Sequence, residues 1–340
     1  MTNKAPKGYP KYEDVKELYP EDVPPFDIEP PPKMPSANQR KGTGWIHPNL
    51  PQLPMTLIIL GPRKRGKSVA LRNMLDPKKK GSFGNAITKD NIILYSPNKE
   101  FDETLASLEL KHTFGPPDSL PAIVDEVFRQ QYKHQKQENM ADVLLTIEDC
   151  TVIPEAWELL RYLGYAGRHK GIHTIAVCHK LTAVDRGIRT QQQQWMIFKP
   201  HEESERESIL ESFSSKGPSR DIWRRAMYRA WNIPYNFIYI DFERGGDLRQ
   251  VYRNGFNESL FTDEEIGELE YLEEHGYKTR FIPSKPDYEE YDQDKLPNFS
   301  KQKSGAREPV ITIQRKKNKK RHREESSSSS SAKHTKRAKV

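Results

Sequence analysis

Short, almost wholly apolar runs separated by stretches of helical periodicity begin at Met55 and continue to about residue 241. The runs are 55–60 (MTLIIL), 91–95 (NIILY), 142–147 (DVLLTI), 172–178 (IHTIAVC), 195–198 (WMIF) and 235–241 (YNFIYID). They lack the apolar–polar alternation of a half-solvated sheet and read as strands buried on both faces. Between them, helical spacing predicts helices at 67–75, 119–138, 154–167, 203–214 and 219–231. Strands alternating with helices imply right-handed crossovers. The expected fold is therefore α/β, with a mostly parallel central sheet covered by helices on both faces.

The flanks have a different texture. Residues 1–44 read as a proline-rich arm, with Pro24–Pro25 and Pro30–Pro31–Pro32 favouring extended backbone over helix. The segment Gly44-Trp45-Ile46-His47-Pro48 closes this stretch, and its Trp45 is expected to pack on the core or beside a ligand. The main domain is expected at 45–257, followed at 258–300 by an extension rich in acids and tyrosines. Within that extension Thr262-Asp263-Glu264-Glu265 has the form of a capping box and predicts a helix over 262–275. Residues 301–340 are expected to be a disordered basic tail. No repeat of solenoid length is present.

Composition sharpens this division. Only 34% of the 340 residues are hydrophobic and 26 are proline, which suits a folded core with polar flanks. The formal charge of +7 is unevenly placed: residues 301–340 hold 14 Lys/Arg against 3 acids, so residues 1–300 carry 41 basic against 45 acidic side chains. The high isoelectric point belongs to the tail and says little about the folded domain. Cys150 and Cys178 both fall in or beside apolar runs and read as small buried side chains, not as a disulfide framework. No apolar run approaches the roughly 18 residues of a membrane span, and residues 1–10 lack the apolar stretch of a secretory signal. A soluble intracellular protein with no membrane partner is the expectation.

Candidate chemistry concentrates after the first run. Gly61-Pro62-Arg63-Lys64-Arg65-Gly66-Lys67-Ser68 fits G-x-x-x-x-G-K-[ST], preceded by an apolar strand and followed by the helix-compatible Val69-Ala70-Leu71-Arg72. Glycines let backbone N–H groups turn onto phosphates, and the helix start adds its positive dipole end. Residues 61–69 are thus expected to bind ATP, with Lys67 reaching the β and γ phosphates and the Ser68 hydroxyl ligating Mg²⁺. Arg63, Lys64 and Arg65 are three adjacent cations that fit either a polyanion contact or a solvated loop.

A loop of this kind needs a carboxylate at the tip of a neighbouring strand for the metal, and usually a second for the attacking water. Glu148 and Asp149 follow the run 143–147 and are assigned these two roles in that order; an exchange of roles, or simple capping of the next helix, also fits. His179 ends the run at 172–178, where a polar side chain would lie beside the γ-phosphate. Arg161, Arg168 and Arg189 are candidates for an arginine lent to a neighbouring subunit in a ring ATPase.

The order of these motifs resembles that of the poxvirus-type viral DNA-packaging ATPases of the FtsK–HerA superfamily, found also in giant viruses, virophages and large transposons. The residues carrying the resemblance are His47-Pro48, the LIILGPRKRGKS segment, TIEDC at 146–150, Gly167-Arg168-His169-Lys170-Gly171-Ile172-His173-Thr174-Ile175, and Gly187-Ile188-Arg189-Thr190. It spans residues 45–255, and only the phosphate loop is sharply specific. The resemblance implies a homo-oligomeric ring with Arg168 or Arg189 acting between subunits, double-stranded DNA as substrate, and capsid or portal proteins as partners. Two positions depart from the family pattern: His179 stands where a glutamine is expected, and Glu148-Asp149 replaces the usual Asp-Asp or Asp-Glu.

Other readings stay open on the sequence alone. A superfamily 3 viral replication helicase shares the Gly-Pro opening of the loop but usually places an asparagine where Cys178-His179 stands. A nucleotide-dependent scaffold would not need the Glu148-Asp149 pair, and a small-molecule kinase would need a lid that the chain does not show. The two basic clusters, at 315–323 and 333–339, suit DNA phosphate or a nuclear import receptor, which would place the protein in a host nucleus, a virion or otherwise the cytoplasm.

Overall fold

A computed structural model describes residues 44–100, 102–136, 140–214, 219–245, 247–275 and 311–314. The expected arm at 1–44 thus lies outside the described residues except for Gly44, as does most of the basic tail. All described residues belong to one compact unit, Ala37–Val340.

Among the described residues nine strands form one sheet. They are β1 (Thr56–Leu60), β2 (Ile92–Tyr95), β3 (His112–Phe114), β4 (Val143–Ile147), β5 (Ile172–Cys178), β6 (Gln194–Phe198), β7 (Phe237–Asp241), β8 (Tyr252–Asn254) and β9 (Glu258–Ser259), in the spatial order β3-β2-β4-β5-β1-β6-β7-β8-β9. The first six in that order are mutually parallel, and β7, β8 and β9 add on as antiparallel neighbours. The main helices are α1 (Lys67–Leu75), α2 (Leu120–Lys136), α3 (Ala156–Ala166), α4 (Arg186–Gln191), α5 (Glu203–Phe213), α6 (Ser219–Trp231) and α7 (Asp263–Glu274). The α/β expectation holds, and no described helix is long and apolar enough to cross a membrane.

The apolar runs are continuous because both sheet faces are covered. On β1, Ile58 and Leu60 join the cluster under α2, α3, α5 and α6, while Leu57 and Ile59 join a second cluster with Leu71, Met74 and Leu75 of α1. β4 divides in the same way, with Leu145 and Ile147 on one face and Leu144 on the other. Each such side chain contributes about 1.5–3 kcal/mol on burial, so β1 and β4 are fixed from above and below. Cys150 and Cys178 are free and buried.

Two of the expected boundaries need correction. The sheet does not stop at 257, because Arg253 and Asn254 of β8 pair with Ser259 and Glu258 of β9. The helix that follows packs back onto α6, where Arg229 Nη2 lies 2.7 Å from Glu265 Oε2. Its capping box is formed as the sequence implies: Glu265 N donates to Thr262 Oγ1 at 3.2 Å and Thr262 N to Glu265 Oε2 at 3.0 Å.

The second correction concerns the tail expected to be disordered from 301. Within it, residues 311–314 lie against the core, with Ile311 and Ile313 buried. Ile313 N donates to Gln130 Oε1 at 2.9 Å and Gln314 N to Asn91 Oδ1 at 2.8 Å. The alternation Ile-Thr-Ile-Gln puts two apolar side chains on one face of an extended segment, which a count of charges does not reveal.

Candidate active site

The phosphate loop is shaped by close backbone approach. Gly61 leaves β1 with its N–H donating to Cys178 O at 3.1 Å, and a β-carbon there would stand 2.7 Å from Phe198 Cβ. Gly66 has φ of 97°, a left-handed conformation open to glycine, and it starts α1. The first turn of α1 carries no acid and no side-chain cap, so its N–H groups and dipole face outward toward the loop mouth. Pro62 is half-buried, Arg63, Lys64 and Val69 are exposed, and Arg65 Nη2 lies 2.9 Å from His201 Nδ1. Lys67 is the buried cation: its Nζ donates to Pro62 O at 3.0 Å, and burial lowers its pKa against the opposing pull of Asp149 and Glu148.

β4 brings the two carboxylates to this loop. Glu148 accepts from Ser68 Oγ at 3.4 Å on one oxygen and from Ser96 Oγ at 3.0 Å on the other. Burial, reinforced by the charges of Asp102 and Asp149, pushes the Glu148 carboxyl up to about 7 despite those serine hydroxyls. Asp149 has φ of 48°, in the left-handed region, where the chain leaves β4. It accepts from Asn98 Nδ2 at 2.9 Å, and its other oxygen lies 2.8 Å from His179 Nε2, a close approach without hydrogen-bond alignment. Neither acid caps α3, whose N-cap is Glu155. The helix-capping alternative therefore fails, and geometry pairs Ser68 with Glu148 rather than with Asp149.

His179 ends β5 beside both groups, with Nδ1 3.4 Å from Lys67 Nζ. An ammonium, an imidazole and a carboxylate thus stand in a row across the mouth of the loop. Among the described residues no cluster of three His, Cys, Asp or Glu could hold a metal by itself. Ser68 and Glu148 offer two oxygen ligands, the sparse set that suits Mg²⁺, which keeps several waters and takes its remaining ligands from phosphates.

The arginines lie elsewhere. Arg168 sits in the helical turn Gly167–Lys170 at the amino end of β5, whereas the phosphate loop leaves the carboxyl end of β1. β5 has seven residues, so the two ends are separated by about 20 Å. A cavity of about 150 Å³ opens at that far end, lined in part by Arg161, Arg168, Ile188, Gln191 and Glu243. Arg189 lies on α4 next to Ile188, and Arg161 Nη2 is held 3.0 Å from Asp185. None of the three meets the chain's own phosphate loop.

Sequence reasoning missed Ser96 and Asn98, which follow β2 and hold the two acids in place. Their signal was a Ser-Pro-Asn sequence directly after an apolar strand, the same logic that exposed Glu148 and His179. Trp45 is also clarified. It is 55% exposed, in an edge contact with His47 and near Lys80, at the far end of α1 from the phosphate loop, while Ile46 supplies the buried anchor.

Strand, loop and helix, with the acid-tipped β4 one strand removed from β1 across β5, together define a P-loop NTPase fold. No family model and no curated protein matches the chain. Among solved structures it is similar to the genome packaging NTPase B204 from Sulfolobus turreted icosahedral virus 2 in complex with ATP-gammaS, at 17% identity over 58% of this chain and 95% of that one, with a TM-score of 0.38. It is also similar to EssC (ATPases 2 and 3) from Geobacillus thermodenitrificans, at 16% identity over 68% and 47% of the two chains, TM-score 0.40. A third is the cytoplasmic domain of the type VII secretion ATPase EccC from Thermomonospora curvata, at 15% identity over 55% and 24%, TM-score 0.37. At these values the likenesses do not separate one function from another.

Proposed function

We propose that the chain is an ATP-hydrolysing motor that moves double-stranded viral or transposon DNA into a capsid. The observation that carries the hydrolytic part is the convergence of Lys67, Ser68, Glu148, Asp149 and His179 at one end of the sheet. The DNA-packaging part is supported by the motif order described above.

In this reading the phosphates lie over residues 61–68, and Lys67 exchanges Pro62 O for the β and γ oxygens. Ser68 and Glu148 would hold Mg²⁺, which when bound would supply positive charge beside the phosphates. Asp149, oriented by Asn98, directs a water at the γ-phosphate, and His179 reports whether that phosphate is present. A water-directing carboxylate at this point favours hydrolysis over transfer to a small-molecule hydroxyl. Arg168 and Arg189 face away from their own nucleotide, which suits action on the next subunit of a ring.

Steady-state turnover with and without double-stranded DNA tests the reading. Strong stimulation by duplex is expected of a packaging motor. Stimulation by single strands alone would favour a replication helicase, and indifference to both a scaffold. Lys67→Ala should abolish turnover, while Glu148→Gln and Asp149→Asn should keep nucleotide bound and lower kcat by about a hundredfold or more. Near-normal turnover in Lys67→Ala would end the motor reading.

A further inference from the structure

The loop between α6 and β7 brings to the phosphate loop an aromatic side chain that the chemistry above does not use. β7 runs antiparallel to β6, with Phe237 opposite Phe198, and β6 runs parallel to β1, with Ile197 opposite Leu60. The residues just before Phe237 are therefore delivered to the sheet edge where Gly61 leaves β1.

Tyr235 stands there with 74% of its surface exposed and a φ of 59°. A bulky residue enters that backbone region only when its surroundings force it. The surroundings do so here. Asn236 Nδ2 donates to Ala230 O at 2.9 Å, Asn236 N donates to Ile233 O at 3.3 Å, and Trp231 Nε1 donates to Ile197 O at 3.2 Å. The loop is thus tied to the end of α6 and to β6.

The ring rests close to the phosphate loop itself. A β-carbon placed on Gly66 would lie 3.6 Å from Tyr235 Cβ and 3.7 Å from its Cδ1. Two residues earlier, Ile233 is also 49% exposed. A soluble domain gains nothing by itself from holding a strained, exposed tyrosine beside an exposed isoleucine.

The site has a direction. Glu148, Asp149 and His179 come from β4 and β5, so the terminal phosphate belongs on that side of Lys67. A polyphosphate laid along the loop then leaves its nucleoside on the other side, toward β6 and β7, where Tyr235 stands. The geometry points to Tyr235, flanked by Ile233, as the wall on which the nucleotide base stacks, an assignment that rests on the nucleotide reading above. Stacking uses the area of a π face and not a hydrogen-bond pattern. The wall therefore favours purines over pyrimidines and separates adenine from guanine only weakly.

Calorimetric binding of a nonhydrolysable ATP analogue and of inorganic tripolyphosphate, both with Mg²⁺, tests this in the full-length chain. Tyr235→Ala should weaken the analogue about tenfold, Tyr235→Phe should hold it, and tripolyphosphate should bind all three proteins alike. An unchanged affinity of Tyr235→Ala for the analogue overturns the assignment. So does an equal loss for tripolyphosphate, which would mean that the tyrosine only shapes the loop. Failure of the nucleotide reading looks different: the unmodified protein would bind neither ligand, or Lys67→Ala would bind both as tightly, and the assignment would fall with it.

Discussion

His179 Nε2 stands 2.8 Å from Asp149 Oδ1, while the other nitrogen of the same ring stands 3.4 Å from Lys67 Nζ. The imidazole therefore stands between the Lys67 ammonium and the Asp149 carboxylate. If it senses the terminal phosphate, His179→Ala should lower kcat by about ten- to a hundredfold and leave the KM for ATP nearly unchanged, since ground-state binding rests on the loop. His179→Gln, which restores a polar side chain of similar reach, should recover a large part. A rise in KM with kcat intact would remove His179 from the chemical step.

Glu148 gives a prediction in the absence of metal. Its ordinary value of 4.5 rises to about 7 in the folded protein, chiefly through burial. Between those values the folded chain holds a proton that the unfolded chain has released. Stability therefore falls as pH rises through this window, with the full cost present above pH 7 and none below 4.5. The displacement corresponds to about 3 kcal/mol. Glu148→Gln should accordingly stabilise the protein by up to that amount at pH 8 and change it little at pH 4.5, measured by urea unfolding in EDTA without nucleotide. Equal effects at both pH values would show that the gain has another source.

The sequence revealed this site because each part sits at the end of a run that had to be a buried strand. Continuous apolar segments place their first polar residues at the sheet edge, which is how Glu148 and His179 could be read directly. β3, β8 and β9 escaped because they are only two or three residues long and carry His112, Thr113, Arg253 and Glu258. Such segments are strands by virtue of their neighbours' hydrogen bonds, not their own pattern. Tyr235 was legible as part of an apolar run and illegible as an exposed residue. Its strand starts two residues later, and the backbone turn that exposes it depends on contacts from α6 and β6.

The tail yields a separate prediction, since its basic clusters lie beyond the docked residues 311–314. Removing 315–340 should leave Ile311 and Ile313 in place and the melting temperature nearly unchanged. If the clusters meet DNA, truncation should weaken duplex binding uniformly across sequences and flatten its dependence on salt, because fewer counterions are released. Fused to a cytoplasmic reporter, the same segment should carry it into the nucleus if an import receptor reads it. An unchanged salt slope together with a cytoplasmic reporter would leave the tail a solubilising role.

The placement of Arg168 makes action between subunits testable. Its turn lies at the amino end of β5, about 20 Å from the loop of its own chain by the length of that strand, so no side-chain movement brings it to its own γ-phosphate. Loss of activity in Arg168→Ala would then have to arise either at a neighbour's nucleotide or through damage to the cavity it lines with Glu243. Mixing experiments separate these causes. Mixed with Lys67→Ala, which keeps its arginines, an inactive Arg168→Ala should regain activity if the arginine acts in trans, because a site with Lys67 intact then sits beside a subunit with Arg168 intact. Arg189→Ala on α4 provides the parallel case. No recovery of activity in either mixture would mean that neither arginine acts in trans.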